Sequence, residues 1–206
     1  QVLTLNNSWA LEPRAGIKWQ FSPKSSFALA YGLHSRMEKM DVYFVKTQGT
    51  GDRSVNKDLG FTRAHHVMLS YGFKISDNMN MKIEPYFQQL YDVPVISDSS
   101  YSVLNRRDFY VENALVNRGK GRNIGVDITL ERYLNKGLYY MVTASIFDSK
   151  YYGGDRKWRN TLYNRNFIVN VLGGKEWMVG RDRQNMFSVN FKITLQGGDR
   201  YAPWMK

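Results

Sequence analysis

Three patterns predict an all-β protein, an antiparallel transmembrane β-barrel segment of about eight strands. Apolar and polar residues alternate with period two in several runs. The connections between the runs are short and long in turn, and aromatic residues gather near the run ends. A barrel strand needs only about 9–11 residues and shows lipid one side and the lumen the other. A mean hydropathy of -0.48 is therefore compatible with a membrane wall.

The first run has Leu11, Ala15, Ile17, Trp19 and Phe21 in phase, against Glu12, Arg14, Lys18 and Gln20. Ser22-Pro23-Lys24-Ser25 supplies the turn, since proline presets a turn dihedral and serine bonds locally to the backbone. Phe27, Leu29, Tyr31 and Leu33 then return against Ala28, Ala30, Gly32 and His34. After a polar stretch from about Glu38 to Gly60, Val67, Leu69, Tyr71, Phe73 and Ile75 alternate with His66, Ser70, Gly72 and Lys74. The turn Ser76-Asp77-Asn78-Met79 leads back through Met81, Ile83 and Phe87, opposite Lys82, Glu84, Tyr86 and Gln88.

A third hairpin sets Ile124, Val126, Ile128 and Leu130 against Asn123, Gly125, Asp127, Thr129 and Glu131. It turns at Leu134-Asn135-Lys136-Gly137 and returns through Tyr140, Val142, Ala144 and Ile146. In the fourth, Phe167, Val169 and Val171 alternate with Ile168, Asn170 and Leu172, so both faces are apolar enough to leave the outward one open. Past Gly180-Arg181-Asp182-Arg183 the pattern is clean, with Phe187, Val189, Phe191, Ile193 and Leu195 in phase.

Short turns near 22–25, 76–79, 133–137 and 179–184 thus alternate with long loops near 38–61, 92–118 and 150–164. Outer-membrane barrels have tight periplasmic turns and extended external loops, whereas soluble barrels usually have short connections at both ends. Trp19, Phe21, Phe27, Phe73, Phe87, Tyr133, Tyr139, Tyr140, Trp177, Phe187 and Phe191 are the expected interfacial girdles. The competing reading, aromatics filling a sandwich core, fits less well with faces polar along nearly the whole strand.

The net charge of +11 raises nucleic-acid binding, but the basic residues are dispersed over strands and loops and no recognition motif accompanies them. No nucleic-acid partner is expected; phosphorylated lipid head groups would use the same charge. With no Cys, disulfide frameworks and thiolate metal sites are excluded. Gln1-Val2-Leu3-Thr4-Leu5 does not read as a secretion signal, so any signal is expected to be removed or to lie outside these residues. Phosphate-binding glycine loops, nucleophile elbows and zinc-protease motifs are missing, so no enzyme and no cofactor are expected. His34 and His66 fall on the polar faces of consecutive strands, where lumen hydrogen bonding is the better reading than a metal site.

From Val116 to Trp177 the order of several stretches resembles the late barrel of TonB-dependent receptors, especially those of Bacteroidota. They are Asn117-Arg118-Gly119-Lys120-Gly121, Gly125-Val126-Asp127 before Glu131-Arg132, Ser149-Lys150-Tyr151-Tyr152-Gly153-Gly154-Asp155, Trp158-Arg159-Asn160-Thr161-Leu162-Tyr163-Asn164 and Asn170-Val171-Leu172-Gly173-Gly174-Lys175-Glu176-Trp177. Pro13-Arg14-Ala15-Gly16-Ile17-Lys18-Trp19 with Phe27-Ala28-Leu29-Ala30-Tyr31-Gly32 is similar to an earlier hairpin of such barrels. The resemblance implies that residues 1–206 are part of a larger barrel of about 22 strands, with the plug domain absent from this chain. It implies an outer-membrane location and TonB-energised uptake of a siderophore, cobalamin, glycan or peptide. It further implies outer-membrane lipid and lipopolysaccharide, the plug, TonB and a surface lipoprotein as partners.

Tyr43, Tyr101, Tyr110, Tyr151, Tyr152 and Trp158, with Phe44, are the loop aromatics that would stack on a ligand, although packing of the loops against each other uses the same residues. Gly119, Gly121 and Gly125 are expected where a neighbouring chain approaches closely, and Arg159, Asn160 and Tyr163 where a loop is pinned to the rim. Two other functions stay open: a complete eight-strand outer-membrane barrel acting as adhesin, structural protein or narrow channel, and a soluble lipocalin-like ligand-binding barrel.

Overall fold

The strands stack in sequence order into one antiparallel sheet, and every short connection is a hairpin turn. The computed structural model describes residues 9–46, 54–106 and 112–200. The wall consists of β1 (Arg14–Ser22), β2 (Ser25–Arg36), β3 (Thr62–Ser76), β4 (Met79–Val95), β5 (Val116–Asn135), β6 (Leu138–Tyr152), β8 (Phe167–Val179) and β9 (Asn185–Gln196). A three-residue β7 (Trp158–Asn160) pairs with the last residues of β6, beyond the point where β8 stops. Among the described residues β1 and β9 do not pair with each other, so the sheet is open.

Registers explain why the period-two runs form these strands. Across the sheet Trp19 pairs with Phe27, Phe27 with Tyr71, and Tyr71 with Ile83; Ile83 pairs with Ile128, and Ile128 with Ala144. The row continues through Ala144 opposite Val169 and Val169 opposite Leu195. Because a slip of one residue would turn every side chain over, an unbroken apolar row over eight strands fixes the register strongly. The opposite face carries Lys18, Ser26, Gly72, Lys82, Thr129, Thr143, Asn170 and Thr194.

The undecided strand β8 is settled by its neighbours. Phe167 lies opposite Ile146, and Val171 opposite both Val142 and Ile193, so the odd positions join the apolar face and Ile168 and Leu172 the polar one. Two expected girdle residues belong to the polar face instead. The Tyr139 hydroxyl donates to Asn190 Oδ1 at 2.8 Å, and the Tyr133 hydroxyl accepts from Asn80 Nδ2 at 3.3 Å. In both cases position parity outweighs proximity to a strand end.

The β5–β6 turn has Lys136 at φ 51° and Gly137 at φ 73°, the two left-handed residues of a type I′ hairpin. Its twist matches that of the strands it joins. A side chain at Gly137 would also strike the Glu176 carbonyl oxygen of β8, at 2.3 Å from the Cβ position.

Candidate functional site

The site is the polar face of the wall together with the loops that close over its far end. Hydrogen bonds run sideways along the polar face. Asn123 sits at the centre of one such chain of contacts: its Nδ2 donates to Gln88 Oε1 at 2.7 Å and its Oδ1 accepts from Ser149 Oγ at 2.7 Å, while Thr161 Oγ1 donates to Ser149 Oγ at 3.0 Å. Asn170 links Thr143 at 3.3 Å to Thr194 at 2.8 Å. Paired amides and hydroxyls on adjacent strands satisfy one another, alongside charged groups of the same face such as the Lys82–Glu84 pair at 2.8 Å.

His34 and His66 do come together there, with ring centroids 6.3 Å apart, and Tyr86 meets His66 edge-on at 6.4 Å. Among the described residues no group of three or more His, Cys, Asp or Glu side chains is arranged to hold a metal ion. His65 points to the other face and stacks between Tyr31 and Tyr91, accepting or donating one hydrogen bond with the Tyr31 hydroxyl at 2.9 Å.

Glycines make room for this packing. A Cβ at Gly125 would meet the Tyr86 hydroxyl at 2.6 Å, so the tyrosine ring lies across the glycine of the next strand. At Gly119 it would meet Val95 at 2.4 Å, and at Gly121 it would meet Leu104 at 2.6 Å, bringing β4 and the second loop close to β5.

The loop end has its own core. Val42, Tyr43, Val45, Leu59 and Leu115 are buried together, with Val55, Ile96, Tyr101 and Val103 packed on them. A one-turn helix α1 (Met40–Tyr43) presents Val42 and Tyr43, and a 3₁₀ turn (Val103–Asn105) presents Val103. Buried Asn56 ties the first loop to the second: its Oδ1 accepts from Leu115 N at 2.8 Å and its Nδ2 donates to the Asn113 carbonyl at 3.0 Å. Asn117 adds a second tie, accepting from Gly60 N at 2.9 Å and donating to the Asp92 carbonyl at 2.6 Å.

The third loop is fastened to the second. Asn105 Oδ1 accepts from Leu162 N at 2.6 Å, and the Tyr163 hydroxyl donates to the Arg106 carbonyl at 2.5 Å. Arg159 grips Asp155 with both terminal nitrogens, at 2.9 and 2.5 Å, and this holds the Asp155 carboxyl below its ordinary range. Asn160 Oδ1 accepts from Asn164 Nδ2 at 3.0 Å. Thus Tyr163 reaches the neighbouring loop, whereas Arg159 and Asn160 brace their own.

The six loop aromatics separate into different environments. Tyr43 and Tyr151 are 2% and 5% exposed, inside the packed loops. Tyr101 is half-buried, and among the described residues its hydroxyl has no hydrogen-bond partner. Tyr152 and Trp158 form a tilted pair, centroids 5.4 Å apart, on the apolar-face side of the wall. Tyr110 lies outside the described residues. Phe44, by contrast, is 39% exposed. Sequence reasoning missed Asn56 and Asn117 as loop ties, since an asparagine in a polar stretch gives no sign of a distant backbone partner.

A cavity of about 720 Å³ opens beside the third loop, lined among others by Asn105, Tyr151, Arg159, Asn164, Arg165 and Arg200. Arg165 bonds Asp199 at 2.7 Å and Gln196 at 2.5 Å, and Arg200 bonds the Asn164 carbonyl and Asn166 Oδ1, each at 2.9 Å. The arginines therefore stiffen the cavity wall as well as making it basic.

No family model matches the sequence, and no curated protein matches it. Solved structures do. The ferric-catecholate import receptor Fiu of E. coli K12, in its closed form, superposes with a TM-score of 0.58 at 10% identity over 82% of this chain and 22% of its own. Two variants of the FrpB iron transporter of Neisseria meningitidis also match. The F5-1 variant gives 0.57 at 15% identity over 89% and 27%, and the F3-3 variant 0.51 at 16% over 90% and 32%. The chain thus spans between about a fifth and a third of these proteins. At such identities the likeness is one of fold alone: the chain has the antiparallel β-barrel-wall architecture seen in part of these structures.

Proposed function

We propose that this chain forms part of the wall and external loops of a TonB-dependent outer-membrane receptor that takes up a scarce nutrient. The observation that carries the reading is the two-sided wall: an unbroken apolar face, a hydrogen-bonded polar face, and loops gathered at one end only. A conduit in a bilayer needs this arrangement, with lipid outside and hydrated solute within. The hairpin turns then face the periplasm and the packed loops the exterior. In this reading the wall is completed to about 22 strands, and the plug and the TonB-contacting segment belong to the same receptor. The protein acts by transport and not as an enzyme. The order of stretches from Val116 to Trp177 favours the narrower placement among receptors of Bacteroidota, with a surface lipoprotein as further partner.

Of siderophore, cobalamin, glycan and peptide, a ferric siderophore is the first substrate to test, because the similar structures are described as iron importers. Two features weigh against the other functions. A complete eight-strand barrel needs β1 and β9 to pair, and a soluble barrel would not leave Ile17 69% and Leu195 60% exposed on one continuous apolar face. Deleting the gene in its host and supplying ferric catecholate as sole iron source should abolish growth, as should loss of TonB. Normal growth of the deletion strain on all four substrate classes would sink the receptor assignment.

A further inference from the structure

The rings of His34 and His66 make none of the hydrogen bonds expected of histidines on a polar face. Among the described residues no donor or acceptor reaches either ring, and their ring contacts are with each other and with Tyr86. Both line a hollow of about 350 Å³, together with Met68, Arg14, Ala30 and Gly32. Two imidazoles and a thioether, all donors to a soft metal ion, therefore share one opening.

The strand register makes the room. His66 lies opposite Gly32 and Met68 opposite Ala30, so each donor of β3 faces a residue with little or no side chain. His34, two residues beyond Gly32 on β2, folds back over that glycine, where a Cβ would meet its Nε2 at 2.7 Å. A ring nitrogen of β2 is thereby carried into the row of His66. Met68 follows His66 by two residues on the same face, and its unbranched side chain has the freedom to bring the sulfur to an ion between the rings.

Ring spacing selects the ion. A metal bound at about 2.0 Å by one nitrogen of each ring stands roughly 3.2 Å from either centroid, so two rings on one ion are at most about 6.4 Å apart. The observed 6.3 Å satisfies this limit with the two nitrogens almost in line across the metal. Zinc, with its four tetrahedral ligands, would bring the centroids to roughly 5 Å. Monovalent copper accepts the wide angle and takes a thioether as third ligand. Charge points the same way. Arg14 lines the hollow, whereas Glu12 is engaged elsewhere: its Oε2 pairs with Arg14 at 2.9 Å and its Oε1 accepts from Ser35 N at 2.7 Å. Among the described residues no carboxylate lines the hollow, so a dication or a hard ferric ion lacks the oxygen ligands it prefers.

From this arrangement we infer that His34, His66 and Met68 form a binding site for one monovalent copper ion on the polar face of the wall. The imidazoles hold the ion between β2 and β3, and the Met68 thioether completes a three-coordinate site. The inference goes beyond the uptake proposed above and requires only the fold and register of these two strands.

The test titrates the full-length protein in detergent, kept reduced with ascorbate, with monovalent copper in competition with the chelator bicinchoninate. The parent should bind one copper ion per chain more than H34Q/H66Q, and X-ray absorption at the copper edge should show imidazole nitrogen together with sulfur. M68L should lose the sulfur signal and about tenfold in affinity. G32A keeps all three donors but places a methyl group where His34 Nε2 lies, so it should also weaken binding, which separates loss of the site from loss of a ligand or of the fold. H65Q, altered on the other face, should bind like the parent. Equal stoichiometry in the parent and H34Q/H66Q, equal loss in H65Q, or tighter binding of zinc than of monovalent copper overturns the inference. Growth of the deletion strain on ferric catecholate is indifferent to these results, so the copper site and the receptor reading fail separately.

Discussion

The two ends of the wall are held together in different ways. At the loop end the chain buries Val42, Tyr43, Val45, Leu59, Val93, Val95 and Leu115, much as a small water-soluble domain would. In the turn-end half of the wall, Trp19, Trp177, Phe187 and Phe191 remain 43–67% exposed on one face. There the strands are joined by inter-strand hydrogen bonding, and in the proposed reading lipid covers the apolar side. In the proposed membrane setting the loop end answers to the hydrophobic effect and the wall to the bilayer, so one chain contains two stability problems.

The largest expected effect lies in the loop core. Tyr43→Ala should lower the free energy of opening of the loops by about 3–5 kcal/mol, since a buried aromatic is removed from a site with little freedom to collapse. Hydrogen exchange at the Val42 and Leu115 amides reads this, and unchanged protection would mean that the loop core contributes little. Next comes a pair of substitutions one residue apart. Val171→Lys puts a cation on the lipid side near mid-wall and should cost about 2–4 kcal/mol in a bilayer, whereas Asn170→Lys on the polar side should be nearly neutral. Urea unfolding in lipid vesicles compares them; equal costs would contradict the assignment of faces.

The smallest effect is a pH dependence of the third loop. Because Arg159 depresses the Asp155 carboxyl, the pair's contribution is present above the unfolded carboxylate range and is lost as pH falls through the lowered native value. The loop should therefore keep its conformation into acid below the usual carboxylate range, and Arg159→Gln should bring the change to higher pH. An NMR titration of the Asp155 side chain checks this, and an identical midpoint in both proteins would show that the ion pair is broken in solution.

Strand order, turn positions and most facing assignments were legible in the sequence, because period two is a strictly local signal. Strand β8 was not, since Ile168 and Leu172 are apolar on both counts and only pairing with Val142 and Ile193 decides the matter. Strand β7 is three residues long and has no pattern of its own. Tyr133 and Tyr139 were misplaced because nearness to a strand end was weighed above parity. The loop core was hidden for another reason: Val42, Tyr43, Val45 and Leu59 lie in one long polar stretch without periodicity and Leu115 in the next loop, and they meet only in three dimensions.

Asn56 and Asn117 join the first and second external loops, and Asn105 and Arg106 join the second to the third. Mechanically, the three are a hinged plate and not separate tentacles. In the proposed receptor, a displacement of any one of them is expected to be shared by the other two, so that this part of the rim moves as a unit on the ends of β2 through β6.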